Sequence, residues 1–376
     1  MYPPEIGGIE IVTKEIAEIA EKHNYQSSVL TFSDAKKSLI KDQKGVRVIR
    51  LASDFQHDPV RISKIYHKTM RQLSKETDLI VFHFPSFQPE LDLFFHNYSV
   101  YKICFYHADV VNRGLSGMIY NNIIVKRFLK KMDKIIVTSP NMIETSKNLK
   151  NFKAKIEIVP LFVDTEHFQY KEKNKRKLIQ RKLKIENDDF KIISYIGRFG
   201  RYKGLDILIK SLSMLDKSIY LLLVGDGKQK KVLERLTNEL GLVKRVLFVD
   251  QVPYDELPLY YSASDVFVLP SVDRGEAFGL VAIEALACGI PIITTKLGTG
   301  TTFHNLNGQT GLHVEPENCV ELRNAIHKIL DENWKVNRKE LLRQRATDFS
   351  RTIFEERIIE LCSSISFNFR KNAEKS

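Results

Sequence analysis

The 376-residue sequence has no long hydrophobic run, no paired cysteine spacing and no glycine-rich nucleotide fingerprint, and each absence narrows what the chain can be. Its longest apolar stretches, Ile219 to Val224 and Leu280 to Cys288, fall far short of the roughly 20 residues that cross a bilayer. No transmembrane helix is expected. Cys104, Cys288, Cys319 and Cys362 stand far apart, which suits reduced thiols and argues against a disulfide framework, a zinc knuckle or a structural metal site. The opening Met1-Tyr2-Pro3-Pro4-Glu5 carries no basic and apolar signal region, so the chain is expected to stay in the cytoplasm. No Gly-x-Gly-x-x-Gly follows a strand: Gly225-Asp226-Gly227 runs into a lysine-rich helix, and Gly298-Thr299-Gly300 lacks a third glycine. With no Walker loop either, dinucleotide oxidoreductases and P-loop enzymes are set aside. No two aspartates stand two positions apart, which removes the Asp-x-Asp device for holding a divalent ion on a diphosphate.

What is present is a globular composition: 43% apolar, 10% aromatic and 28% charged residues, with enough length for two ordinary domains. Lysine and arginine outnumber acids 58 to 46, a formal charge of +12, which points to nucleic acid, an anionic membrane or phosphorylated small molecules. Short apolar runs alternate with amphipathic stretches, the signature of strand-helix units with a parallel sheet covered on both faces. In the first half the predicted strands are Ser28 to Phe32, Val46 to Leu51, Leu79 to Phe84, Tyr101 to Tyr106, Lys134 to Thr138 and Ile156 to Leu161; helical patterns cover Ile9 to His23 and Val60 to Leu73. In the second half they are Lys191 to Ile196, Ile219 to Val224, Val246 to Val249, Val266 to Leu269, Pro291 to Thr295 and Gly311 to Val314. A charged stretch after Asp164 marks a linker, so the expected architecture is α/β, with doubly wound domains at 1–163 and 164–348. Ligands of such sheets bind beyond the carboxyl ends of the strands.

Three segments carry chemistry. Gly7 and Gly8 open the first helix, where free amides and the helix dipole favour an anion, the alternative being a tight turn. Ile196-Gly197-Arg198 ends a strand and Lys203-Gly204 follows, setting two cations at the carboxyl edge, unless the loop is simply a solvated charged one. The stretch Pro270 to Pro291 holds Glu276 in a post-strand loop and Glu284 inside an apolar helix. A carboxylate there needs hydrogen-bond donors: sugar or ribose hydroxyls, or else a structural salt bridge to lysine or arginine. The amides of Phe278, Gly279 and Leu280 at that helix start are further candidates for a hexose or diphosphate.

Assembled in order, Tyr2-Pro3-Pro4 before Gly7-Gly8, His107-Ala108-Asp109 after a strand, Gly197-Arg198 with Lys203-Gly204, Val224-Gly225-Asp226-Gly227, and Glu276 followed eight positions later by Glu284 resemble the family 4 retaining, nucleotide-sugar-dependent glycosyltransferases. The resemblance runs nearly end to end. It implies the GT-B fold, two Rossmann-like domains facing a central cleft, with a C-terminal helix (349–376) crossing back onto the acceptor-side domain and 371–376 frayed. It assigns Gly7 and Gly8 to backbone approach by the donor, and Arg198 and Lys203 to the leaving diphosphate in place of a metal. Glu276 would bind the hexose, Glu284 the ribose, and the base would lie near Val252. His107 would donate to the sugar where the bond breaks, the alternative being a strand-end histidine satisfied by backbone. The implied chemistry is hexosyl transfer with retention from GDP-mannose or a UDP-hexose to a saccharide or lipid-linked acceptor, with no cofactor and no essential metal.

Leu297-Gly298-Thr299-Gly300-Thr301-Thr302 departs from the Gly-Gly and acidic residue of many members, whereas His83-Phe84-Pro85 and Tyr106-His107-Ala108-Asp109 are similar to a subset associated with bacterial surface polysaccharide and lipopolysaccharide assembly, such as O-antigen. The basic segment Lys126 to Lys134 suits an anionic leaflet, hence a peripheral position on the inner face of the plasma membrane, or equally a solvated helix face. Rival expectations are a GT-B epimerase or phosphorylase and, more remotely, a nucleic-acid binder, for which no motif is present. In the family, Tyr-Pro-Pro follows a central opening strand; here Met1 immediately precedes Tyr2, so the first sheet is expected to lack that strand and to show a gap.

Overall fold

Runs such as Ile219-Tyr220-Leu221-Leu222-Leu223-Val224 are stable as strands only where both faces are covered, and this requirement organises the molecule. The computed structural model describes residue 2 and residues 8–33, 37–57, 60–110, 114–169, 175–186 and 189–373, with side chains as far as 364. The chain divides into two compact units, one of Met1–Thr138, Ser146–Leu161 and Thr352–Ser376, the other of Ser139–Thr145 and Phe162–Arg351.

The first unit contains β1 (Ser28–Ser33), β2 (Leu39–Gln43), β3 (Val46–Ala52), β4 (Phe55–His57), β5 (Val60–Ile62), β6 (Leu79–Phe84), β7 (Tyr101–Tyr106), β8 (Lys134–Val137) and β9 (Ile156–Ile158). β6-β7-β8-β9 form a parallel sheet, and β1 pairs in parallel with β3 in a separate one. Among the described residues no strand joins β1 to β6. Tyr2, 1% exposed, packs with Ala17, Val29, Val46 and Val48 of the first helix, β1 and β3. The first helix, Gly8–Lys22, turns Val12, Ala17 and Ile19 inward.

Three strands were not read from the sequence. β2 lies against β3 through a turn at Lys44 and Gly45, whose φ values of 54° and 85° are those of a two-residue hairpin. The expected helix over Val60 to Leu73 is corrected: Val60–Ile62 is a strand paired with Phe55–His57, and the helix is only Tyr66–Leu73. Val60 and Ile62 are β-branched residues flanking Arg61, a period of two. The Gln88 side-chain amide binds both backbone groups of Ser63 at 2.7 Å, taking that residue out of any helical ladder.

The second unit holds β10 (Lys191–Ile196), β11 (Ile219–Val224), β12 (Val246–Val249), β13 (Val266–Leu269), β14 (Ile292–Thr295) and β15 (Gly311–Val314). All are parallel, in the order β12-β11-β10-β13-β14-β15. Every residue of β13 and β14 is buried, each large aliphatic side chain contributing about 2 kcal/mol. The chain winds outward from β10 to β12 and then returns to β13 on the other side. β10 and β13 therefore flank a topological switch point, and ligands of open α/β sheets bind there, beyond the carboxyl ends of the strands.

The last helix, Arg351–Ala373, packs in the first unit: Phe354, Ile358 and Leu361 are buried, and Glu355 accepts from Lys22 at 2.6 Å and His23 at 2.9 Å. Fraying was expected from residue 371, but the helix continues to Ala373; 374–376 lie outside the described residues.

Candidate active site

In the second unit the loops after β10 and β13 meet at the switch point. Gly204 packs so tightly on the β13 loop that an added Cβ would stand 2.1 Å from the Pro270 carbonyl oxygen, and the Val272 amide donates to the Tyr202 carbonyl at 2.8 Å. This contact buries Lys203 to 9% exposure and brings its Nζ 2.5 Å from Glu276 Oε2. Ser271 donates to the same carboxylate oxygen at 2.9 Å, and Thr299 donates to the Glu276 carbonyl at 2.8 Å. Burial pulls the Lys203 pKa down, but the Glu276 carboxylate outweighs it and the net shift is upward. The lysine stays charged. Glu276 thus has an ionic partner, the salt-bridge alternative left open by the sequence, and that partner is itself one of the expected donor-binding residues.

Arg198 differs. Its backbone is locked: a Cβ at Gly225 would lie 2.1 Å from the Gly197 carbonyl oxygen, one at Gly227 2.5 Å from the Phe199 oxygen, and the Phe199 amide donates to Asp226. The Arg198 side chain is exposed at the carboxyl edge of β10 and has no partner among the described residues. Val252 is half-buried in the loop after β12.

Glu284 sits on the helix Leu280–Ala287, which starts at Gly279 in the left-handed region (φ 77°). Its Oε2 accepts from the Tyr261 hydroxyl at 2.7 Å. Burial raises its pKa to about 7 against the opposing Tyr261 hydrogen bond. Among the described residues no lysine or arginine pairs with it. Phe278 is buried, with its carbonyl accepting from His304 Nε2 at 2.6 Å. The amides of Phe278, Gly279 and Leu280 have no protein acceptor among the described residues.

In the first unit His107 follows β7 and is 5% exposed. Its Nε2 lies 2.9 Å from His83 Nδ1, with the rings parallel within 10° and their centroids 5.2 Å apart. Burial lowers the His107 pKa to about 4 and that of His83 well below its usual value. Both rings are neutral at pH 7, so one nitrogen of the pair donates and the other accepts. The side chain of His107 is satisfied by a second histidine rather than by backbone. Asp109 accepts from Tyr106 and Ser146 at 2.6 Å each. Gly8 is exposed at the first turn of its helix; Gly7 lies outside the described residues.

A Glycosyltransferase Family 4 model matches residues 6–167 and a Glycosyl transferases group 1 model matches 175–349. The chain belongs to the family 4 glycosyltransferases. It is 28% identical to D-rhamnosyltransferase WbpZ of Pseudomonas aeruginosa over 85% of this chain and 82% of that protein. It is 25% identical to the O-antigen chain mannosyltransferase C of Escherichia coli over 90% and 88%. HepE of Anabaena, solved with UDP, superposes with a TM-score of 0.76 at 18% identity over 96% and 98% of the two chains, a likeness that shows the GT-B fold.

For this family 4 glycosyltransferase, sequence reasoning missed Ser271, Thr299, Tyr261 and the role of His83. Tyr261 and Ser271 had no local signal. Thr299 lies in the segment singled out as a departure, and its hydroxyl supports the Glu276 loop. His83 was reachable: His83 pairs with Phe105 in the β6–β7 register, so residue 107, two further along, shares its face.

Proposed function

We propose that the chain transfers a hexose from a nucleoside diphosphate sugar to a saccharide or lipid-linked saccharide, with retention and without a metal, in surface polysaccharide assembly. The observation that carries this reading is the switch-point cluster: an exposed Arg198 cation, without a partner among the described residues, beside a buried Lys203–Glu276 pair. The glycosyl bond from C1 to the phosphate oxygen breaks, and the diphosphate leaves with the electron pair and increased negative charge. Arg198 and Lys203 stabilise that charge. The acceptor oxygen attacks C1 from the face the diphosphate leaves, and its proton passes to a departing phosphate oxygen. Glu276, already aligned by Ser271, takes hexose hydroxyls; Glu284 takes the ribose; the base lies by Val252; and His107, set in direction by His83, donates to the sugar. The amides of Phe278, Gly279 and Leu280, with Gly7 and Gly8, receive the remaining donor oxygens.

The mannosyl and D-rhamnosyl relatives support a GDP-mannose type of donor, and the UDP held by HepE supports a UDP-hexose. A membrane-facing acceptor is supported by exposed Leu115, Met118, Ile119, Ile123 and Phe95 beside exposed Lys126, Arg127 and Lys130. The test measures nucleoside diphosphate release from GDP-mannose, UDP-glucose and UDP-galactose with EDTA present, and the anomeric configuration of the product by NMR. One donor should turn over, and Arg198→Ala and Lys203→Ala should each lower kcat by about 10²–10³ with unchanged circular dichroism. Full activity in either variant removes the assigned role.

A further inference from the structure

Three successive carbonyls of the loop before the helix Leu280–Ala287 are held by one short segment further along the chain. The Thr299 hydroxyl donates to the Glu276 carbonyl at 2.8 Å, the Gly300 amide to that of Ala277 at 2.7 Å, and His304 Nε2 to that of Phe278 at 2.6 Å. The fit is close: a Cβ on Gly300 would stand 2.4 Å from the Phe278 ring, and one on Gly279 2.6 Å from Leu269. In a trans peptide the C=O and the following N–H point opposite ways. The amides on those three planes, of Ala277, Phe278 and Gly279, therefore face away from the segment 299–304, and none has a protein acceptor among the described residues. Successive amides aimed to one side form a nest for a negatively charged oxygen.

His304 is the costly member of this clamp. It is fully buried, and its Nδ1 has no hydrogen-bond partner among the described residues. Nε2 carries the ring's proton, because a carbonyl only accepts; burial, aided by the nearby Arg345 cation, lowers the pKa to about 3 against the Phe278 bond, so the ring is neutral. An apolar side chain would bury no orphaned nitrogen there, so packing alone does not account for an imidazole, whereas the bond to Phe278 does. Arg345 fixes the backbone that carries the ring, donating to the carbonyls of Phe303 at 2.6 Å and His304 at 3.1 Å.

We propose that His304, with Thr299 and Gly300, is a positioning residue that turns the amides of Ala277, Phe278 and Gly279 toward the oxygens of the nucleoside diphosphate sugar, and that the Ala277 amide joins the donor site. The direction of the amides follows from the clamp; the identity of their ligand rests on the transfer reading above. His304 acts through the Phe278 carbonyl and not on the donor itself. Without its bond the Phe278–Gly279 peptide is free to rotate, and the donor is held less well.

The test compares the full wild-type chain with His304→Phe, which keeps a ring and loses the N–H, and His304→Gln, which keeps an N–H. His304→Phe should raise the donor KM and the Kd of the nucleoside diphosphate by about tenfold with the acceptor KM unchanged, and His304→Gln should bring both back to within about threefold of wild type. A side chain that served packing alone would lower the melting temperature and move neither constant. Folded His304→Phe with unchanged donor KM and Kd overturns the proposal, as does His304→Gln as impaired as His304→Phe. Where His304→Phe does not fold, Thr299→Val takes its place, removing the hydroxyl on the Glu276 carbonyl; it too should raise the donor KM, and an unchanged value overturns the clamp. The clamp is also read without ligand: hydrogen exchange at the Gly300 amide should quicken in the variant while β13 stays protected. Quickened exchange in a chain whose wild type turns over no donor strikes the transfer reading alone, and unchanged exchange strikes the clamp whatever the turnover.

Discussion

Glu284 is a carboxyl group that the fold holds close to its neutral form. Because burial raises its pKa from 4.5 to about 7, the folded state binds the proton more tightly than the unfolded chain. Stability therefore falls as pH rises from about 4.5 to 7, by about 3 kcal/mol from this group. Glu284→Gln should leave the ligand-free protein as stable or more stable at pH 8 in denaturant titration, while nucleotide affinity drops; a loss of both would mean the carboxylate serves packing alone. The histidine pair has the opposite sign. With His107 lowered to about 4, its neutral form stabilises the fold above pH 6.5, and that stability is lost as pH falls from 6.5 towards 4. His107→Gln should flatten the acid-side decline in melting temperature and reduce kcat. His83→Phe, which removes the ring partner and keeps the bulk, should lower kcat with a smaller effect on KM.

At the level of elements, the glycine contacts make a sharp prediction. Gly204 (φ 63°) and Gly225 (φ 135°) lie where L side chains are strained, and their backbones touch Pro270 and Gly197. Gly225→Ala should cost about 3 kcal/mol or more in urea unfolding, whereas alanine at Gly241, which has a positive φ but open space around its Cβ, should cost less. The strands of the second unit were legible because they are short, largely apolar runs, Val266–Leu269 being buried throughout. β2 was not legible: its residues are almost wholly exposed and it exists because the Lys44–Gly45 turn folds it onto β3. The shortened helix after β5 was hidden for another reason, since Gln88, far along the chain, satisfies Ser63.

For the whole molecule, a net charge of +12 and the exposed apolar row beside Lys126, Arg127 and Lys130 set the expectation for membranes. Vesicles with anionic lipid should float the protein at low salt, neutral vesicles should not, and the bound fraction should fall as salt shortens the Debye length. Glutamate at Lys126, Arg127 and Lys130 should abolish flotation; equal recovery from both vesicle types would count against a membrane role. The candidate residues Arg198, Lys203 and Glu276 could be placed from sequence in loops after strands, and Glu284 within a helix, because motif spacing sets them there. Their partners could not, because Lys203 with Glu276 and Glu284 with Tyr261 are separated by 73 and 23 residues and meet only through the strand order. That same closeness of loops bears on engineering. Since the loop after β10 rests backbone to backbone on Gly225 and Gly227, and through Gly204 on Pro270, the three form one transplantable cassette. Grafting any single loop from a relative to change the donor would import a mismatched surface, whereas moving all three together carries the fit with them.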